Sequence, residues 1–199
     1  MKKLKILLFI LFTIPIYSQW VQQNSGTTEV LNDIYCVTEN FVVAVGTNGT
    51  ILKTTDGGVT WVQKTSGTTS SLLKVQFANA LVGYSIGKVD STGAGLLFKT
   101  IDGGENWTNI AVSSITSILD MHCVNENLIY VNGNGTDIFK LLKSANGGNS
   151  FDVVNSGDTT WGKIQFITQD VGYVLTNKLL KTADAGVNWT IIDNNRGLL

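Results

Sequence analysis

The stretch TTDGGVTW, from Thr54 to Trp61, decides the fold because it recurs along the chain. The related octapeptides are TIDGGENW at 100–107, SANGGNSF at 144–151 and TADAGVNW at 182–189. We call these four octapeptides boxes 1 to 4. Their third residues are 46, 44 and 38 residues apart, and a lysine precedes each box. This period is close to the roughly 40–50 residues of known propeller repeats.

Each repeat also contains four short segments that read as strands. The first strands are DIYCV, KVQF, DMHCV and KIQF, and the third strands, ILKT, LFKT, LLKS and LLKT, lead into the boxes. These segments are rich in β-branched and aromatic residues and are bounded by Gly, Asn or Asp. The pattern predicts an all-β protein, a β-propeller of four-stranded antiparallel blades. Its domain is expected at 19–199, with blades at about 31–63, 72–110, 117–154 and 161–193.

The box residues have a mechanical interpretation. A glycine can take the positive φ that a tight turn needs, an Asp or Asn can accept backbone N–H groups within it, and the aromatic residue can pin the turn to the blade. We therefore assign the boxes a structural rather than a catalytic role. The residues assigned to it are Asp56, Gly58, Trp61, Asp102, Gly104, Trp107, Asn146, Gly148, Phe151, Asp184, Gly186 and Trp189.

The N-terminus reads as an export signal. Lys2, Lys3 and Lys5 precede the apolar stretch 6–17, and Ser18 is a small residue suited to cleavage. We expect a signal peptide at 1–18 and a secreted or periplasmic chain that is not inserted in the membrane after cleavage. A retained N-terminal anchor is the alternative, although the apolar stretch is shorter than the roughly 18 residues of a spanning helix.

The sequence after this signal predicts an incomplete ring. The run from Trp20 to Thr28, WVQQNSGTT, matches WVQKTSGTT from Trp61 to Thr69, so the mature chain begins with a fourth strand that has no partner strands. Box 4 is followed by a fourth strand of its own. We therefore expect a fragment of a longer propeller that lacks about two to four blades, since a closed ring removes free strand edges.

The pattern [ST]-x-[DN]-x-G-x-x-[WF] after a lysine, with VG or GY upstream, resembles the Asp-box (BNR) repeat propellers. Within these it is most similar to the Ycf48 group of photosystem assembly factors, over about residues 20–193. The resemblance implies an assembly-factor role. The basic patch of that group is absent from this sequence, which puts a photosystem partner in doubt.

Composition excludes several function classes. Arg196 is the single arginine, so the arginine triad with which sialidases bind a carboxylate cannot be built. No pair of acidic residues is marked for glycoside hydrolysis. Loss of the three signal lysines changes the formal charge from −1 to about −4, which suits neither nucleic acid nor anionic lipid.

These observations predict a non-catalytic scaffold for an unknown protein or envelope component, without cofactor or metal. The alternative is a carbohydrate-binding or glycoside-hydrolase module acting on cell-surface glycans.

Four further residues have structural interpretations. His122 falls at a repeating first-strand position and is expected to face the channel or pack between blades, because no second His is available for a metal site. Cys36 and Cys123 are expected to be buried free thiols, with a disulfide less favoured because they lie in different blades. Trp161 aligns with Leu31, Leu72 and Ile118 and is expected in the core.

Loops that vary on a rigid scaffold are where binding residues concentrate. The longest connection between second and third strands runs from 88 to 95, and it supplies the candidate binding residues Lys88, Asp90, Ser91 and Thr92.

The residue that opens each first strand alternates in charge along the chain: Asp33, Lys74, Asp120, Lys163. Because first strands surround the channel of a propeller, we expect a partial ring of ion pairs between neighbouring blades.

Overall fold

The structure is a computed structural model that describes residues 21–136, 138–156, 162–176 and 178–193. The predicted signal at 1–18, the strand-opening Trp20 and the core candidate Trp161 lie outside these residues. The described part contains no helix long and apolar enough to span a membrane.

The described residues form four antiparallel sheets of four strands, in chain order, and no helices. Blade 1 consists of β1 (Leu31–Cys36), β2 (Val42–Gly46), β3 (Ile51–Thr54) and β4 (Val62–Lys64). Blade 2 consists of β5 (Ser71–Phe77), β6 (Gly83–Lys88), β7 (Gly95–Thr100) and β8 (Thr108–Ile110). Blade 3 consists of β9 (Ser117–Cys123), β10 (Ile129–Asn134), β11 (Phe139–Ser144) and β12 (Asp152–Ser156). Blade 4 consists of β13 (Lys163–Phe166), β14 (Gly172–Leu175), β15 (Leu179–Thr182) and β16 (Thr190–Asp193). The predicted all-β fold of four-stranded blades is confirmed.

The apolar core lies between the blades. Each of three buried clusters joins side chains from two successive sheets: Val43 and Ile51 of blade 1, for example, pack with Leu72 and Phe77 of blade 2. A single four-stranded sheet leaves one apolar face uncovered, so each blade depends on its neighbours for burial.

The blades form an open arc. The first strands contact each other in turn, β1 with β5, β5 with β9 and β9 with β13, while β1 and β13 do not touch within the described residues. Ile34 of β1 is consequently 57% exposed, whereas the matching residues of the later blades are at most 2% exposed. Those residues are Val75, Met121 and Ile164. The chain thus forms a partial propeller.

In each of blades 1 to 3, a β-bulge immediately precedes the residue that opens the first strand. The pairing with the second strand skips one residue each time: Asn32, Leu73 and Leu119. A bulge bends its strand and redirects the next side chain. This local geometry turns Asp33, Lys74 and Asp120 toward the next blade.

The predicted ion pairs between opening residues form at two of the three junctions. Lys74 Nζ lies 2.6 Å from Asp120 Oδ1, and Lys163 Nζ lies 3.8 Å from the same oxygen. Asp33 forms no ion pair with Lys74 in the described structure; its Oδ2 instead accepts the Val75 N–H at 2.8 Å. Backbone groups of the next strand therefore compete with side-chain charges for these carboxylates.

The backbone groups that the opening residues bind lie at equivalent positions in successive blades. Each of the first three opening residues bonds the backbone of the residue that follows the opening position in the next blade. Asp120 Oδ2 accepts the Ile164 N–H at 2.9 Å, as Asp33 does for Val75. Lys74 Nζ donates to the Met121 carbonyl at 2.8 Å. A carboxylate at this position accepts the backbone N–H of that residue, whereas an ammonium donates to its carbonyl.

The cysteine prediction is wrong for one residue. Both thiols are free, but Cys36 is exposed and Cys123 is half-buried. Cys36 lies on the edge of blade 1 that no described blade covers, whereas the matching position in blade 3 is covered by blade 2.

Box 4 predicts a stabilising substitution. Ala185 takes φ 56°, where boxes 1 to 3 have a glycine. A residue with a Cβ costs about 1–2 kcal/mol in the left-handed region. We expect Ala185→Gly to raise the free energy of unfolding by about 1 kcal/mol in urea titrations followed by circular dichroism.

Ala145, at the second position of box 3, does not have positive φ. Ala145→Gly is therefore the control, and it should lower stability by about 0.4–1 kcal/mol. Equal losses in both variants would contradict the strain assigned to Ala185.

Candidate functional site

The boxes close the turns between third and fourth strands by one hydrogen-bond pattern. In box 1, Thr54 Oγ1 donates to Asp56 Oδ1 at 2.7 Å and accepts the Gly58 N–H at 2.9 Å. Asp56 Oδ1 also accepts the Thr60 N–H at 2.9 Å. The same set recurs in boxes 2, 3 and 4 around Asp102, Asn146 and Asp184. This satisfied network matches a structural turn, with no group left over for chemistry.

The box aromatics lie against the blade. The Trp107 indole is 7% exposed, and its Nε1 donates to the Gly104 carbonyl at 3.2 Å. Trp189 makes the equivalent bond to Gly186 at 3.1 Å, and Trp61 and Phe151 are half-buried. Trp107 and Trp189 thus bind their own turns, whereas the buried Trp61 Nε1 has no hydrogen-bond partner in the described structure.

The lysines before the boxes hold the box of the next blade. Lys99 Nζ donates to the Gly147 carbonyl of box 3 at 2.8 Å. Lys143 Nζ donates to the Ala185 carbonyl of box 4 at 2.7 Å. Each ammonium also lies over an aromatic ring of its own blade, such as that of Tyr84, 5.6 Å from Lys99. The repeated lysine is therefore an outer contact between blades.

At the junction between blades 1 and 2, the lysine before the box binds a side-chain carboxylate instead of a backbone carbonyl of the next box. Glu105 accepts from both Lys53 and Lys64 at 2.6 Å. Hydrogen bonds from these two lysines lower the pKa of the Glu105 carboxyl. Sequence reasoning missed this cluster, although Glu105 is the one charged residue at the sixth position of a box, which is a visible signal.

An open groove of about 890 Å³ lies beside this junction. It runs between the turn at Asn48–Gly49 and the connection from β4 to β5. Its lining is polar and consists of Asn48, Gly49, Gln63, Lys64, Thr65, Ser66, Gly67, Thr68 and Thr69. Sequence reasoning did not identify this groove.

The groove walls are preformed. The Gly49 N–H donates to the Ser70 carbonyl at 2.9 Å, which ties the turn to the connection. Ser66 Oγ donates to the Thr68 carbonyl at 3.0 Å and is 5% exposed. A Cβ at Gly67 would meet nothing within 4 Å, so the groove is open above that residue. It offers hydroxyl and amide groups on a rigid frame, and its lysine is already paired with Glu105.

The sequence-predicted loop lies apart from the groove lining. Lys88, Asp90, Ser91 and Thr92 are exposed in a tight turn in which Gly93 N–H donates to the Val89 carbonyl at 2.7 Å. The same propeller face carries both features, because connections of one type share one face. The structure does not bring them together.

His122 is a packing residue. Its ring stacks on Phe166 of blade 4 with centroids 6.0 Å apart. Burial, followed by the charge of Lys74, lowers the pKa of the His122 imidazole. Burial also raises the pKa of the Cys123 thiol to about 12, which opposes thiolate chemistry. The described residues contain no cluster of metal-ligating side chains.

Four blades of this kind, with repeated boxes at their turns, define an Asp-box β-propeller. The chain belongs to the family described as photosynthesis system II assembly factor YCF48, whose model matches residues 13–116. No curated protein matches the chain.

Solved structures show the same fold at low sequence identity. YCF48 from Cyanidioschyzon merolae has a TM-score of 0.66 and 20% identity, over 86% of this chain and 59% of its own. YCF48 bound to D1 peptide has a TM-score of 0.66 and 16% identity, over 89% and 56%. The GH74 enzyme of Niastella koreensis has a TM-score of 0.66 and 18% identity, over 83% and 30%. The chain thus spans less than 60% of the length of each of these proteins.

The aspartates of the boxes are predicted to make part of the folding stability sensitive to acid. Hydrogen bonds from Thr60 lower the pKa of Asp56 to about 2. A carboxyl group whose pKa is lower in the folded state stabilises the fold at pH values above its unfolded pKa of about 3.9. This stabilisation is lost as the pH falls through about 2. Asp56→Asn should therefore flatten the decline of the urea midpoint between about pH 4 and pH 2.

Asn146 supplies the matched control, because it already makes the neutral version of the box. Its Oδ1 accepts the Ser150 N–H at 3.0 Å and its Nδ2 donates to Ser150 Oγ at 2.8 Å. Asn146→Asp should steepen the same decline. An unchanged slope in both variants would contradict the assignment.

Proposed function

We propose that this protein is an exported, non-catalytic scaffold that binds a segment of another protein in the polar groove beside blades 1 and 2. Family membership is the observation that carries the proposal, together with a structural neighbour that was solved bound to a peptide. Export is supported by the basic and apolar pattern of residues 2–18.

The groove suits a peptide more than a charged ligand. Hydroxyls, amides and backbone groups line it, and these can pair with the backbone of an extended segment. Glu105 lies 2.6 Å from Lys64 and neutralises the single cationic side chain of the lining. Binding should then depend little on ionic strength, because exposed charges carry most salt sensitivity.

A catalytic role lacks support in the residues. The polar side chains of the boxes are hydrogen-bonded within their own turns, the His122 ring is packed against Phe166, and burial raises the pKa of the Cys123 thiol, which opposes formation of a thiolate. The likeness to a GH74 enzyme is a likeness of fold and keeps a glycan ligand as the alternative.

Site-specific photo-crosslinking tests the proposal. Benzoylphenylalanine would replace Thr69, which is exposed in the groove, and separately Val187, which is 71% exposed on the opposite face. We expect one protein adduct at Thr69, competed by a synthetic peptide from the adduct and little changed between 50 and 300 mM salt, and none at Val187.

Equal adducts at both positions would contradict the groove as the binding site. Specific retention on a glycan array, without any protein adduct at Thr69, would overturn the protein-binding proposal in favour of the glycan alternative.

A further inference from the structure

The blades alternate between two types. Residues 33–41 of blade 1, DIYCVTENF, match residues 120–128 of blade 3, DMHCVNENL. Residues 74–77 of blade 2, KVQF, match residues 163–166 of blade 4, KIQF. The repeat unit of the inner strands is therefore two blades. A blade that follows blade 4 is then expected to be of the type of blades 1 and 3.

The junction between blades 2 and 3 shows how a blade of the second type holds one of the first type. Among the polar contacts that join them in addition to the apolar core, four involve residue types that recur at both ends of the arc. They are Lys74 Nζ to Asp120 Oδ1 at 2.6 Å, Gln76 Oε1 to the Cys123 N–H at 2.9 Å, Tyr84 Oη to the Glu126 carbonyl at 3.0 Å, and Lys99 Nζ to the Gly147 carbonyl at 2.8 Å.

The two outer edges of the arc carry the same residue types at the matching positions. The edge of blade 4 carries Lys163, Gln165, Tyr173 and Lys181, at the positions of Lys74, Gln76, Tyr84 and Lys99. The edge of blade 1 carries Asp33, Cys36, Glu39 and Gly57, at the positions of Asp120, Cys123, Glu126 and Gly147. All eight positions repeat the residue of the blade 2 to blade 3 junction. The edges are complementary to each other in charge and in hydrogen bonding.

The described structure leaves these edges uncovered. On blade 1, Ile34 is 57% and Leu31 40% exposed, and Cys36 is exposed. On blade 4, the Lys163 side chain is 77% and Leu175 39% exposed. Tyr173 is half-buried, whereas Tyr84 at the matching position is fully buried. Both edges thus combine apolar surface with the polar groups that hold a junction elsewhere in the molecule.

We infer that blade 4 of one copy of this chain docks on blade 1 of a second copy and reproduces the junction between blades 2 and 3. Lys163 then meets Asp33 of the other copy, and Lys181 meets the carbonyl of Gly57 in box 1. The contact is heterologous, because two different surfaces meet, so successive copies close a ring or extend a filament.

The segment before blade 1 occupies part of this surface and must move on docking. A Cβ at Gly58 of box 1 would lie 3.0 Å from Gln23 Oε1. At the corresponding place in box 3, a Cβ at Gly148 would lie 2.7 Å from Ile110 of β8. Gln23 therefore stands where β16 of the incoming blade belongs. Residues 21–24 are exposed and outside any strand, so their displacement breaks few contacts.

A single cysteine substitution tests the junction. Gln165→Cys places a thiol opposite the native Cys36 of a second copy, as Gln76 lies opposite Cys123. After oxidation with copper phenanthroline, we expect chains joined through position 165 and Cys36. The adduct should run as two or more chains in gels without reductant, revert with dithiothreitol, and disappear in Gln165→Cys with Cys36→Ser.

Gln76→Cys is the matched control, since it should give a disulfide between position 76 and Cys123 within one chain. Light scattering on the unsubstituted protein should give a mass of more than one chain, and Cys36→Arg, at an exposed position, should give one chain. A mass of one chain at all concentrations would overturn the inference. So would intermolecular links through Cys123, or no link from position 165 when the control pair forms.

Discussion

The carboxylate of Asp120 joins three blades, and the placement of blades 2 and 4 against blade 3 depends on it. It lies in blade 3, its Oδ1 receives Lys74 of blade 2 at 2.6 Å, and its Oδ2 receives the backbone N–H of Ile164 in blade 4 at 2.9 Å. The side chain is 1% exposed, and a charge so deeply buried is stable only when it is paired and hydrogen-bonded. Removing it would leave the Ile164 amide without its acceptor and the Lys74 ammonium with only the Met121 carbonyl.

Two lines of polar contacts enclose the apolar core between successive blades. The inner line runs through the opening residues of the first strands, and the outer line runs from each third-strand lysine to the next box. Lys143, for instance, reaches the Ala185 carbonyl at 2.7 Å, while Asp120 holds the inner side of the same junction. Since both lines are made largely to backbone groups, they fix the register of neighbouring blades without constraining the loops. The groove beside blades 1 and 2 is built from loops outside these two lines, which their own hydrogen bonds hold in place.

Sequence reasoning reached the fold and the box geometry, because both depend on local patterns. It reached the ion pairs of Lys74 and Lys163 with Asp120 from charge alternation alone. It missed that Asp33 holds the Val75 amide, because a bulge at Asn32 redirects the side chain and no sequence pattern shows which backbone group is free. The exposure of Cys36 and the groove at Thr65–Thr69 were missed for a related reason. Both depend on which surfaces meet in space, and residues that are similar in sequence differ in whether a neighbour covers them.

The central claim is that the carboxylates of Asp33 and Asp120 bind the backbone of the next blade and hold it in place, and amide hydrogen exchange tests it most directly. Hydrogen bonds to charged groups contribute about 1.5–3 kcal/mol, so loss of one should speed exchange of its amide by roughly tenfold or more. We expect Asp33→Ala to accelerate exchange at Val75 selectively and to leave Ile164, which Asp120 holds, unchanged. Unaltered exchange at Val75, or equal acceleration at Ile164, would contradict the claim.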